Sequence, residues 1–204
     1  MPMSEKTAAE LFNEIPPPTS TRERILYTAL DQFHAEGFHA VGLDRILSLV
    51  GVTKTTFYNH FDSRDSLIRE ALQLRDAWDA QHFERRLKAL AGYDPQALLL
   101  GMFDVLDEWF THEAYRGCIF LHACAEFPSH QDPIHKIAAE HYLVSERTIA
   151  EIAAAAKVPD PAAFARQWSI LVQGAITQRM ITGFDGAARV ARSVAEALME
   201  RALA

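Results

Sequence analysis

The strongest constraint on this chain lies between residues 42 and 65. Two short apolar-periodic runs sit there on either side of one glycine. Leu43, Ile46, Leu47 and Val50 recur at helical spacing. Gly51 then allows a tight turn, Val52 fills the joint, and Thr53 is suited to cap the next helix. In that helix Phe57 and Phe61 are four residues apart and share one face. The runs are too close for anything but two helices meeting at a corner. A helix-turn-helix of this kind offers its second helix to the major groove of DNA.

The same punctuation divides the rest of the chain. Residues 1–20 end in Pro16-Pro17-Pro18 and Thr19-Ser20, which predicts an extended arm with a helix cap at its end. Ile25, Leu26, Ala29, Leu30 and Phe33 form the first helical stripe, closed by Gly37. Ser63 starts a long fourth helix that continues past Trp78. Further helices begin at Pro95, near Cys118, after Pro133, at Pro161 and after Gly186. The segment from Cys118 to Phe127 is apolar on nearly every face and is expected to be deeply buried. The reading is all-α, with nine helices and no strand. A small three-helix head is expected over 21–67 and a larger helical body over 68–204.

Composition limits the function classes. Apolar residues make up 49% of 204, enough for a substantial core. No apolar run reaches the roughly eighteen residues of a membrane span. The start, Met-Pro-Met-Ser-Glu-Lys, lacks the basic-then-apolar pattern of a secretory signal. Cys118 and Cys124, six apart on one helix, point in different directions and do not suggest a disulfide. A cytoplasmic location is expected. The net charge of −7 gives no direct support for nucleic-acid binding. Yet from Gly51 to Phe61 the only formal charge is Lys54, and there is no acid. A phosphate-facing surface requires such a window.

With Phe57 and Phe61 turned inward, the outer face of the third helix presents Thr53, Lys54, Thr55, Thr56, Tyr58, Asn59 and His60. Asn pairs in bidentate fashion with adenine, and Thr hydrogen-bonds to bases or packs its methyl on thymine. Tyr58 and His60 suit phosphate oxygens. Arg64 is expected to clamp the DNA backbone beside the groove. Arg22, Arg24 and Arg45 are further candidates for phosphate contacts.

These residues carry a resemblance. The stretch from Ile25 to Leu72 resembles the DNA-binding head of the TetR family of transcriptional regulators. The pieces are Ala29-Leu30 to Phe33, Glu36-Gly37-Phe38, Ile46 to Gly51-Val52, Thr53-Lys54-Thr55-Thr56-Phe57-Tyr58-Asn59-His60-Phe61, and Ser63-Arg64 followed by Leu67. The resemblance covers about a quarter of the chain. It implies a three-helix head, a divergent body that binds a small molecule, and a homodimer on a pseudo-palindromic operator of double-stranded DNA. Two positions depart from the family pattern. Thr55 stands where a small residue is common, and Asn59 where a second tyrosine is common. Both face DNA, so they bear on which operator is read.

In the body, the last two helices read as a dimerisation surface. Phe164, Leu171, Val172 and Ala175 line one, and Val190, Val194, Ala197 and Leu198 line the other. Two such helices from each subunit make a four-helix bundle. The alternative is that both helices only close the subunit's own core. A ligand pocket is expected from Met102, Phe103, Leu106, Phe110, Cys118, His122, Glu126, Tyr142, Trp168 and Gln173. For each of them ordinary core packing is the competing reading.

Other classes find less support. His130, His135 and His141 with the two cysteines do not match structural zinc spacings, so neither metal nor cofactor is expected. No GxGxxG, P-loop, HExxH or GxSxG occurs, and no catalytic residue is assigned. The expectation is a ligand-responsive repressor. An activator and an effector-independent architectural DNA binder are the alternatives.

Overall fold

The computed structural model describes residues 17–112 and 115–204. Most of the expected N-terminal arm, up to residue 16, lies outside the described residues. Among them there are nine helices and no strand. We number them α1 (Thr21–Glu36), α2 (Leu43–Val50), α3 (Lys54–Tyr58), α4 (Arg64–Ala91), α5 (Pro95–Thr111), α6 (Ile119–Glu126), α7 (Pro133–Ala155), α8 (Pro161–Thr182) and α9 (Ala187–Leu203).

Local chemistry starts and stops these helices. Ser20 Oγ accepts from Glu23 N at 3.1 Å to cap α1, and Thr53 Oγ1 accepts from Thr56 N at 3.2 Å to cap α3. Ser63 and Ser66 cap α4 reciprocally, each hydroxyl accepting from the other's backbone N–H at 3.0 Å. Asp94 and Asp160 cap α5 and α8, each followed by a proline at the first helical position. Gly51 ends α2 in the left-handed region at φ 74°, donating to Leu47 O at 2.9 Å.

The chain divides into two compact units. The first combines residues 17–79 with Cys118–His141, so it extends beyond the expected three-helix head. Its core includes Ile25, Ala29, Phe33, Phe38, Val41, Ile46, Phe57, Leu67, Ile68 and Leu72, all fully buried. At about 1.5–3 kcal/mol for each large apolar side chain, this burial is the main force holding the small helices together.

The second unit holds residues 80–112, 115–117 and Tyr142–Ala204. Within it α9 packs against α8 and α5. Trp168 is fully buried, with Phe103 at 5.4 Å and Phe164 at 5.0 Å between ring centroids. No described helix is long and apolar enough to cross a membrane.

The expected deep burial of the Cys118–Phe127 segment is only partly met. Ile119, Phe120 and Ala123 of α6 are buried, but Ala125 is exposed and Leu121, His122 and Cys124 are half-buried. An apolar composition on every face did not fix burial on every face, because α6 spans only eight residues. Both cysteines are free.

Candidate nucleic-acid interface

α3 is a single turn and a half, too short to be stable alone, and two rings fix it in place. Phe57 and Phe61 are buried and stacked, their centroids 5.5 Å apart. Tyr58 lies edge-on to Phe57 at 5.1 Å yet remains 59% exposed. Thr53, Lys54, Thr55, Asn59 and His60 are exposed around it. Thr56 is half-buried, with its hydroxyl 3.0 Å from that of Thr53. The outer face thus carries short hydrogen-bonding groups on a rigidly anchored rod. Such a surface suits base edges in a groove.

The expected cations have a different setting. Lys54 Nζ lies 2.8 Å from Asp44 Oδ1, and this hydrogen bond holds the ammonium above the ordinary lysine value. The window is free of acids in sequence but not in space, because the first turn of α2 brings Asp44 alongside. Arg45 is paired with Glu36. Arg22 is paired with Glu70, and its guanidinium lies over the Phe61 ring at 4.8 Å.

Arg64 corrects the expectation of a clamp on DNA. Its Nε donates to Val41 O at 3.2 Å, and Nη2 donates to Val41 O at 2.9 Å and to Phe38 O. The guanidinium also covers Phe33, 5.5 Å from the ring centroid. The bend between α1 and α2 has no ladder to satisfy its carbonyls, and Arg64 supplies donors.

Glu126 is likewise engaged with the head's own backbone. Oε1 accepts from Phe38 N at 2.9 Å, and Oε2 accepts from His39 N at 2.7 Å. His39 Nε2 returns to Glu126 O at 3.0 Å. The sequence groups Glu126 with His122 in the expected ligand pocket. The orphan amides after α1 are the actual partners of Glu126, and only a long-range contact reveals them. His122 is half-buried in the same unit, 6.2 Å from the His34 ring. Burial lowers its pKa from the ordinary 6.5, with Glu126 acting in the opposite sense.

The remaining expected pocket residues are dispersed. Cys118 is buried in the first unit. Met102, Phe103, Leu106, Phe110 and Trp168 belong to the core of the second. Tyr142 is half-buried in that unit. Gln173 is exposed, which corrects its inclusion: five positions beyond Trp168, it lies well round the helix from that ring. Trp168 Nε1 is buried with no hydrogen-bond partner among the described residues. An open groove on the head is lined by Pro17, Pro18, Arg24, Tyr27, Thr28, Asp31, Leu49 and Val50, none of them in α3.

The three histidines weighed for metal binding have protein partners. His130 Nδ1 and His135 Nε2 are 2.9 Å apart, and His135 Nδ1 is 2.7 Å from Phe127 O. His141 bonds Asp76 at 2.6 Å and stacks on Phe120 at 3.8 Å.

On the expected dimer surface, Val194 is 50% exposed, Val190 and Ala197 are exposed, and Leu171, Val172 and Leu198 are half-buried. Phe164 and Ala175 are corrections: both are buried in the core of the second unit. Two exposed residues were missed, Ile170 at 69% and Ile181 at 76%. Ile170, Gly174, Thr177 and Ile181 follow one helical stripe, and Val190, Val194, Ala197 and Arg201 follow another.

Known proteins similar to this chain are bacterial transcriptional regulators. The profile described as "Bacterial regulatory proteins, tetR family" matches residues 25–71. The chain is 23% identical over 182 residues to the HTH-type transcriptional regulator YjdC of Escherichia coli K12, covering 87% of this chain and 93% of that protein. It is similar to SCO4454, a TetR-family transcriptional regulator from Streptomyces coelicolor. The TM-score is 0.79 at 27% identity, covering 89% of this chain and 95% of that one. A putative TetR-type regulator from Streptomyces avermitilis shares the fold. Its TM-score is 0.78 at 23% identity, covering 90% and 98% of the respective chains.

Proposed function

We propose that this chain is a member of the TetR family of transcriptional regulators, acting as a homodimeric, cytoplasmic repressor released from its operator by a small molecule. The observation that carries the proposal is the anchored α3, with Phe57 and Phe61 buried and Tyr58, Asn59, Lys54 and the threonines turned outward. Thr53, Thr55 and Asn59 read base edges, while Tyr58 and His60 take phosphate oxygens. Dimerisation uses the unpartnered apolar stripes of α8 and α9. A two-fold pair of heads then presents two copies of α3 about one DNA turn apart, roughly 34–36 Å.

The effector binds in the second unit. Its buried, unpartnered Trp168 indole N–H supports a ligand bearing a hydrogen-bond acceptor among otherwise apolar contacts. The effector need favour a state with mismatched head spacing by only about 1–3 kcal/mol to weaken operator binding substantially.

Operator selection from a randomised duplex pool, followed by release assays against a metabolite panel, tests the proposal. A Tyr58→Ala/Lys54→Ala double variant that remains folded yet shifts the selected duplex like the wild type would refute the interface.

A further inference from the structure

We propose that Asp44 is a specificity-determining residue of the DNA interface, holding the one cation of α3 away from the phosphates of random sequence. The inference rests on the reading of α3 as the DNA-facing helix.

The head is unusual electrostatically for a surface that meets a polyanion. Residues 21–67 contain five basic side chains, Arg22, Arg24, Arg45, Lys54 and Arg64. Against them stand six acids, Glu23, Asp31, Glu36, Asp44, Asp62 and Asp65. The structure engages the basic groups further. Arg45 is matched by Glu36, Arg22 by Glu70 and Lys54 by Asp44, and Arg64 is spent on the carbonyls of Phe38 and Val41. Arg24 reaches Thr21 Oγ1 at 3.3 Å.

Duplex DNA carries about one charge per 1.7 Å, and neutralising its phosphates supplies essentially all non-specific affinity. With Arg22, Arg45 and Lys54 matched by acids and Arg64 bonded to the head's own carbonyls, the head gains less from that source. More of its affinity must come from the base edges, which only a fully seated α3 reaches.

Asp44 differs from the other acids in its partner. Arg22 and Arg45 lie on α1 and α2, whereas Lys54 is the first residue of α3 itself. The Asp44 and Lys54 side chains are 78% and 62% exposed. An ion pair this exposed opens at little cost. A phosphate brought up by correct seating can therefore take the ammonium from Asp44. On random DNA the seating contacts are missing, and the carboxylate keeps the lysine while repelling the backbone. Asp44 also lies in the first turn of α2, where it suits the helix dipole. That role affects stability and leaves the salt dependence of DNA binding unmoved, so the two are separable.

The test uses the full chain, its selected operator and a random-sequence duplex of equal length, with fluorescence anisotropy across a salt series. Asp44→Asn should raise random-duplex affinity about tenfold at about 0.1 M salt and steepen the log K against log [salt] slope by about 0.9 per head. The operator-to-random ratio should narrow. Asp44→Ser should behave alike, and adding Lys54→Gln to Asp44→Asn should remove the gain. Wild-type slope and ratio in both Asp44 variants would overturn the inference. So would lost operator affinity with unchanged random binding, since Asp44 would then be reading a base. A wild type that binds neither duplex overturns the DNA-binding reading, and the inference with it.

Discussion

The Glu126 carboxylate occupies the space that a side chain at Gly37 would need. A Cβ there would stand 2.9 Å from Glu126 Oε1. Gly37 also has φ 92° and ψ 160°, a conformation open almost only to glycine. The two facts are linked: the turn that follows α1 aims the amides of Phe38 and His39 at the Glu126 carboxylate. Gly37→Ala should therefore destabilise the chain by about 1–3 kcal/mol from backbone strain alone. Chemical denaturation checks this; a midpoint equal to the wild type would contradict the geometry.

Phe57 and Tyr58 are neighbours with opposite roles. Phe57→Ala empties a fully buried site and should cost about 3–5 kcal/mol of stability. Tyr58→Ala should change the melting midpoint little and weaken operator binding instead. Thermal melts and gel shifts on both variants separate the roles. If Tyr58→Ala melts like Phe57→Ala, the ring belongs to the core and not to the interface.

Val194 projects from α9 beside Val190 and Ala197. Val194→Asp leaves the subunit core untouched but places a charge in the apolar stripe, where desolvation opposes association. Light scattering at about 1 μM should show a monomer in place of the dimer proposed for the wild type. A dimeric variant of normal mass would move the subunit contact elsewhere.

His122 sets a direction for pH dependence. Burial holds its folded pKa below the ordinary 6.5, so the unfolded chain takes up a proton there first. This contribution is fully present above about pH 6.5 and is lost as the pH falls toward the lower folded value. His122→Asn should remove that acid-side loss. Urea titrations between about pH 5 and pH 8 measure it. An identical stability profile for the variant would show that His122 is not responsible.

The sequence made the order of helices legible because breakers mark nearly every junction. Gly37, Gly51, Gly92 and Gly183 sit at helix ends with positive φ, and Pro95, Pro133 and Pro161 open helices. The buried pair Phe57 and Phe61 was equally plain, since period alone reports which face is apolar. Period does not report partners. Arg64, Lys54 and Glu126 all meet groups from other segments, so their commitments were invisible in the one-dimensional pattern. α8 failed differently. Ile170, Leu171 and Val172 are consecutive apolar residues, so two adjacent faces looked alike. Phe164 and Ala175 lie on the core side of α8, while Ile170 and Ile181 are exposed.

Arg64 closes the bend between α1 and α2 with a planar fork reaching two carbonyls. A lysine there would keep the charge and lose the shape, giving up the second bond from Nε to Val41 O and the flat face over Phe33. The residue is therefore bound by its geometry, however conservative the exchange looks on paper. Descendants of this chain can trade that arginine only by rebuilding the corner it fastens.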